Sequence, residues 1–201
     1  MADHYYTPLP ESEHNTRLVQ VNILGRSLTF ETDAGVFSKN ELDPGSKLLI
    51  ESMGALSGRV LDLGCGWGPV GAFLALANPQ AQLVMSDVNE RALDLARRNL
   101  KNNGATAEVV ESDGFESLEG TFDHVVTNPP IRAGKALIYS LFDTAHERLR
   151  PSAALTIVIR KQQGAPSALK HLEETFGNAE VIAKGGGYWI IRSVKGKEEE
   201  A

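Results

Sequence analysis

The sequence has 201 residues, a formal net charge of −6, and 42% hydrophobic against 23% charged residues. That is enough chain for one well-cored domain, and the acidic balance excludes a general nucleic-acid coat, which neutralises phosphates with an excess of Lys and Arg. Cys65 is the only cysteine, which excludes an internal disulfide and a cysteine metal cluster, and His4, His14, His124, His146 and His171 show no ligand spacing, so no metal is expected.

In chain order, residues 1–17 are polar with Pro8 and Pro10 and read as a flexible arm. "MADHYYTPLPESEH" has neither the basic region nor the apolar core of a signal peptide, and no apolar run reaches the roughly 18 to 20 residues that span a bilayer. A cytoplasmic protein with no membrane partner is expected. Residues 18–195 read as a single domain, and 196–201 as a disordered acidic tail. "LVQVNILGRSLTFET" alternates apolar and polar positions about Gly25-Arg26, which predicts a hairpin. "DPGSKLLIESM" predicts a helix with Asp43 as its cap and Pro44 in its first turn.

From residue 58 strands and helices alternate. The pattern predicts strands over 58–63, 81–87, 106–112, 122–127, 153–160, 178–184 and 187–194, and helices over 69–77, 89–102, 135–149 and 166–176. Such an order implies an α/β fold: a mainly parallel sheet with helices on both faces and a ligand site at the carboxyl ends of the strands. Only Gly185-Gly186-Gly187 separates the last two strands, so that connection is a hairpin and one of the two runs antiparallel to the rest.

"VLDLGCGWGPVG" runs from an apolar strand into a helix, with Pro69 at the first helical position. Glycines there allow a tight turn and let a ligand lie against bare backbone. Gly66-x-Gly68-x-x-Gly71 fits a dinucleotide fingerprint, while Asp62-x-Gly64-x-Gly66-x-Gly68 fits the loop of S-adenosylmethionine enzymes. Asp87 follows about twenty residues on, at a strand end, where a carboxylate accepts both hydrogens of a ribose diol. Asp113, ending the next strand, is placed to accept from an adenine amino group, with the Gly114 backbone donating to the ring. A dinucleotide enzyme has no specific use for that second carboxylate.

The fourth strand ends in "VTNPPIR". Pro129 and Pro130 have no N–H, and Asn128 before a proline is held extended, so this corner offers acceptors and suits an amino group better than an anion. A base or amide nitrogen is a poor nucleophile because its lone pair is delocalised. Acceptors that hold its hydrogens orient it toward a methyl sulfonium, and the transfer then needs placement and dipolar stabilisation more than a strong base.

"DLGCGWG", "SDVN", "ESDGF" and "NPPIRAGK", with "DAGVFSKNELDPGSKLLIE" before them, resemble the small-domain class I S-adenosylmethionine-dependent methyltransferases related to the ribosomal RNA small-subunit guanine-N2 methyltransferases, over about residues 15–195. The resemblance implies a Rossmann-like, seven-stranded sheet in the order 3-2-1-4-5-7-6 with the seventh strand antiparallel. It implies that Gly64, Gly66, Asp87 and Asp113 hold the cofactor, that Asn128, Pro129 and Pro130 hold the target amine, and that Gly35–Ser38 borders the pocket. Longer members carry an additional N-terminal domain, and a short single-domain form is expected here. Where amine methyltransferases usually have a stacking aromatic after the prolines, this chain has Ile131; Phe37, Tyr5, Tyr6 or Trp67 are the substitutes within the sequence. Arg132, Lys135, Arg160, Lys161 and Lys39 form an expected basic rim for ribosomal RNA or the small ribosomal subunit. A protein-glutamine or small-molecule N-methyltransferase, a nicotinamide oxidoreductase and a noncatalytic nucleotide-binding partner are the alternatives.

Overall fold

A computed structural model describes residues 15–34, 36, 38 and 40–197. Most of the expected arm and tail, together with Gly35, Phe37 and Lys39, lies outside these residues. The chain opens with an antiparallel hairpin, β1 (Arg17–Ile23) and β2 (Arg26–Thr32), closed by Leu24 and Gly25 at φ of 51° and 74°. Positive φ at both turn residues matches the right-handed twist of the flanking strands. The hairpin's alternation puts Val21, Ile23, Leu28 and Phe30 into the core.

Next comes α1 (Pro44–Ser52), whose first turn is capped by Asp43 through the backbone N–H of Ser46. The alternating region follows as β3 (Arg59–Leu63), α2 (Pro69–Ala77), β4 (Gln82–Asp87), α3 (Glu90–Asn102) and β5 (Glu108–Glu111). It continues with β6 (Phe122–Thr127), α4 (Lys135–Arg148), β7 (Leu149–Arg160), α5 (Ala165–Phe176), β8 (Glu180–Gly185) and β9 (Tyr188–Val194).

Strands β3 to β9 form one seven-stranded sheet in the order β5-β4-β3-β6-β7-β9-β8. Counted from β3, that is the expected 3-2-1-4-5-7-6, and β9 runs antiparallel to both β7 and β8. Phe30, Leu49, Val60, Phe73, Met85 and Leu93 are among the residues buried on one face of the sheet. Leu61, Phe122, Phe142, Leu155, Leu172 and Ile191 are among those buried on the other. Burial on both sides is why these strands read as nearly continuous apolar runs.

Most boundaries fall within two residues of expectation, and that of β7 differs most. Strand β7 starts at Leu149, not at 153, because the polar stretch Arg150-Pro151-Ser152 is carried through an irregularity: Phe122 pairs with Leu149 but His124 with Ala154, and Ser152 has φ of 66°. A bulge of this kind leaves no hydrophobic signature.

Candidate active site

Strands β4 and β5 lie on one side of β3 and all later strands on the other, so a crevice opens where the chain leaves the adjacent ends of β3 and β6 toward opposite faces of the sheet, α2 on one and α4 on the other. Thr127 Oγ1 donates to the Leu63 carbonyl at 2.7 Å and fixes the two strand ends together. In front of them is a cavity of about 360 Å³, lined by the turns after β3, β4, β5 and β6 and by the start of α1. Its volume is that of a small-molecule site.

The glycine turn forms the floor. The backbone N–H groups of Gly64 and Cys65 both donate to the Ser86 carbonyl, at 2.8 and 2.9 Å, folding the turn over the end of β4. Gly64 and Gly66 have φ of 74° and 56°, and a Cβ on either would meet nothing within 4 Å, because the space before them is the cavity. Gly68 is placed differently: it caps α2 outside the lining residues, and its Cβ would stand 2.9 Å from Met85 Cε. Helix–strand packing accounts for it.

Two acids lie beneath this turn. Asp62 Oδ2 accepts from Gly71 N at 2.8 Å, which ties β3 to the first turn of α2. Burial pushes the Asp62 carboxyl up to about 7, with a further push from the charge of Asp87, while the Gly71 hydrogen bond opposes it. Asp87 accepts from Gly66 N at 2.8 Å and Asn89 N at 2.9 Å, and burial raises its pKa as well. The cap of α3 is Asn89, which accepts from Ala92 N, so Asp87 is free of that duty. Asp113 is exposed at the edge of the cavity and Gly114 adjoins it, on a loop fixed by Ser112 Oγ, which donates to the Gly114 carbonyl and accepts from Ser117 N. Two desolvated carboxylates under an open cradle suit a ligand that brings positive charge and lies against bare backbone.

At the opposite wall, Asn128 Nδ2 donates to Asp43 Oδ2 at 3.1 Å and Ser46 Oγ at 2.9 Å. Asp43 also accepts from the Ser46 N–H on Oδ2 and from the Tyr188 hydroxyl on Oδ1, at 2.9 and 3.0 Å. The Pro130 carbonyl is taken by Ala133 N at 2.8 Å, opening a single 3-10 turn over Ile131–Ala133. Pro129 is buried and lines the cavity beside Asn128 and Pro130.

Ile131 is half-buried against the α4 side of the core and is absent from the cavity lining. The apolar wall there is made by Pro130, Ala133, Leu137 and Leu141. Leu137 is 45% exposed, which leaves an apolar lip at the mouth. Trp67 lines the cavity but is 2% exposed, with its ring edge-on to Phe30 at 5.2 Å. Phe37, Tyr5 and Tyr6 lie outside the described residues. Arg132 is exposed in the 3-10 turn, and Lys161 is exposed where its N–H donates to the Gly187 carbonyl. Arg160 pairs with Tyr188 across β7 and β9, its guanidinium 4.9 Å from the centre of that ring.

Asp43, Ser46 and Tyr188 join the expected residues at this wall. Asp43 reads in sequence as a helix cap, and it is one; its second duty joins residues 85 and 145 positions away, a separation no local pattern reveals.

The doubly wound sheet, the glycine cradle with its paired acids and the Asn-Pro-Pro corner together define a class I S-adenosylmethionine-dependent methyltransferase. The chain belongs to the methyltransferase small domain family, whose model matches residues 27–192. An uncharacterized Bacillus subtilis (strain 168) protein, YbxB, is 42% identical over 97% of this chain and all of its own length. Ribosomal RNA small subunit methyltransferase C of Cronobacter sakazakii is 37% identical over 85% of this chain and 50% of its own. Among solved structures, the T. thermophilus 16S rRNA N2 G1207 methyltransferase RsmC, in complex with AdoMet and guanosine, superimposes with a TM-score of 0.80 at 29% identity, over 93% of this chain and 52% of that one. The chain thus spans about half the length of the ribosomal RNA methyltransferases it matches. Among the described residues no group of His, Cys, Asp and Glu is placed to hold a metal, and no helix is long and apolar enough to cross a membrane.

Proposed function

We propose that this methyltransferase acts on the exocyclic N2 amine of a guanine in small-subunit ribosomal RNA, in the cytoplasm. The observation that carries the reading is the Asn128 amide: its Nδ2 donates to two protein oxygens, which leaves Oδ1 as its acceptor at a cavity shared with the glycine cradle. The guanosine held by the T. thermophilus relative and the ribosomal RNA named for the C. sakazakii relative support the same substrate class.

S-adenosylmethionine supplies a methyl group made electrophilic by its sulfonium. Asp62, Gly64, Gly66, Asp87, Asp113 and Gly114 would hold it: the glycines by close backbone approach, Asp87 at the ribose hydroxyls, Asp113 and Gly114 at the adenine edge. Asn128 Oδ1 accepts a hydrogen of the target amine and turns the nitrogen lone pair toward the cavity. Pro129 and Pro130 keep that corner extended and free of competing N–H donors. The lip of Pro130 and Leu137 covers the flat face of the base where an aromatic would otherwise stack, and excludes water there. Asn128 is too weak a base to remove the proton first; it holds the proton through the transfer, and water takes it once the nitrogen is alkylated and cationic. Arg160, Lys161 and Arg132 position the RNA through its phosphates.

Methyl-labelled donor incubated with ribosomal particles, naked ribosomal RNA and cell protein, followed by nucleoside analysis, tests the reading. Label in N2-methylguanosine, lost in Asn128→Ala with donor binding retained, is the expected result. Label in a glutamine side chain or in a small molecule alone would replace RNA as the substrate.

A further inference from the structure

We infer that Asp43, together with Ser46, is a positioning residue that sets which end of the Asn128 amide faces the target. The inference rests on the reading that Asn128 accepts from an amine. An amide has an accepting end and a donating end of nearly equal size, and the two differ by a half-turn of the terminal torsion. Toward an amine the oxygen end attracts and the nitrogen end repels. A side chain left free to rotate would present the wrong end in part of the population.

The protein removes this choice. Asp43 Oδ2, 3.1 Å from Asn128 Nδ2, is a carboxylate oxygen with no hydrogen to give, so a flipped amide would set two acceptors against each other. Ser46 Oγ at 2.9 Å takes the second Nδ2 hydrogen. Asp43 is itself fixed: Ser46 N holds Oδ2, the Tyr188 hydroxyl holds Oδ1, and the residue is 9% exposed. Gly45 allows this packing, because a Cβ there would stand 2.6 Å from the Tyr188 ring. The same Tyr188 ring carries Arg160 on its face, so one carboxylate links the amine acceptor, through Tyr188, to Arg160.

The capping role of Asp43 is separable from the positioning role. Asp43→Ser keeps a hydroxyl for Ser46 N but is too short to reach Asn128; adding Ser46→Ala removes the second acceptor. Asp43→Asn is the conservative partner, since its oxygen can face Asn128 and Ser46 N while its nitrogen donates to the Tyr188 oxygen.

The experiment measures kcat, KM and donor affinity for wild type, Asp43→Ser/Ser46→Ala and Asp43→Asn. It also measures exchange of the Asn128 side-chain NH2 by nitrogen-15 NMR, assigned by its absence in Asn128→Ala. The double variant is expected to lose about 30-fold or more in kcat, with donor affinity and folding retained and Asn128 NH2 protection gone. Asp43→Asn is expected to keep kcat within about fivefold, with protection kept. Unaltered protection in the double variant overturns the inference, and so does full kcat with protection gone. If wild type methylates no amine, the functional reading fails, and the exchange measurement alone decides whether Asp43 and Ser46 hold the amide.

Discussion

Asn99 on α3 pairs with Glu31 on β2 as a neighbouring strand would: its Oδ1 accepts from Glu31 N at 2.7 Å and its Nδ2 donates to the Glu31 carbonyl at 2.9 Å. Asn103, one helical turn on, does the same with Thr29 N and O, at 3.0 and 2.8 Å. Two amides thereby occupy an edge of the hairpin that would otherwise offer unpaired backbone to another chain. Asn99 Nδ2 also reaches the Trp67 carbonyl at 2.8 Å, so the hairpin, α3 and the glycine turn meet at one buried group. Asn99→Ala leaves buried backbone groups unpaired and is expected to cost about 3 kcal/mol in denaturant unfolding, with weaker donor binding in calorimetry. Asn103→Ala, whose bonds to Thr29 are exposed, is expected to cost about 1 kcal/mol and leave donor affinity alone.

The glycines of the turn divide into those that admit the ligand and those that admit a neighbouring side chain. Gly64→Ala adds a methyl into open cavity at φ of 74°, a strain of about 1 kcal/mol, and is expected to cost little more in stability while weakening donor binding. Gly71→Ala drives a Cβ to 2.5 Å from Met85 Sδ. Its gain in helix propensity is outweighed by overpacking of about 1–3 kcal/mol, and donor affinity per folded molecule is expected to stay. Thermal melts and calorimetry on the two variants separate the roles; an equal drop in donor binding in both would refute the division.

These contrasts mark how far the sequence was legible. Apolar runs with period-2 and helical spacing, Gly and Pro at element ends, and Asp43 as a cap were all readable because each depends on a few consecutive residues. The sheet order and the direction of β9 followed from the family resemblance and the Gly185–Gly187 turn, and the observed pairing has that order. Pairings made across the fold were not legible: the Asp43–Asn128–Tyr188 set, the Asn99 amide against β2, and the packing of Ile131 against the α4 side of the core. Ile131 followed the prolines in the place of a stacking aromatic, but the 3-10 turn begun by Pro130 rotates it away and brings Leu137 to the cavity instead.

Asp62 predicts a pH dependence that the donor should reverse. Its carboxyl is raised from 3.8 in the unfolded chain to about 7, so the native state binds more protons than the unfolded state between those values. Its contribution is fully present below pH 3.8 and falls as pH rises through 7, on the order of 4 kcal/mol in total. His124, buried against Thr156 Oγ1 and lowered to about 4, acts oppositely, because the stability of its neutral form falls away as pH drops below 6.5. His124→Asn is therefore expected to lose less stability than the wild type as pH falls from 7 to 5, measured by denaturant unfolding. A cationic donor favours ionised Asp62, so binding at pH 6 should release roughly one proton, and at pH 8 close to none. Calorimetry in two buffers of different ionisation enthalpy reads this directly; equal proton release at both pH values would remove Asp62 from the account.

Arg160 and Lys161 test whether these cations meet nucleic acid. Arg160 lies over the Tyr188 ring at the carboxyl end of β7, and Lys161 follows it, in a chain whose net charge is −6. Local cations on an acidic protein bind phosphates only where they are held together, and each phosphate that is no longer neutralised lowers the salt dependence of binding by about one unit of slope. Reversing both residues to Glu is expected to raise KM for ribosomal RNA at least about tenfold and to flatten its dependence on salt, with donor affinity unchanged. Tyr188→Phe keeps the ring under Arg160 but removes the hydroxyl from Asp43 Oδ1, so it should leave that salt slope intact and lower kcat instead. A charge reversal that left KM and salt slope at wild-type values would show that the RNA approaches from another side of the cavity.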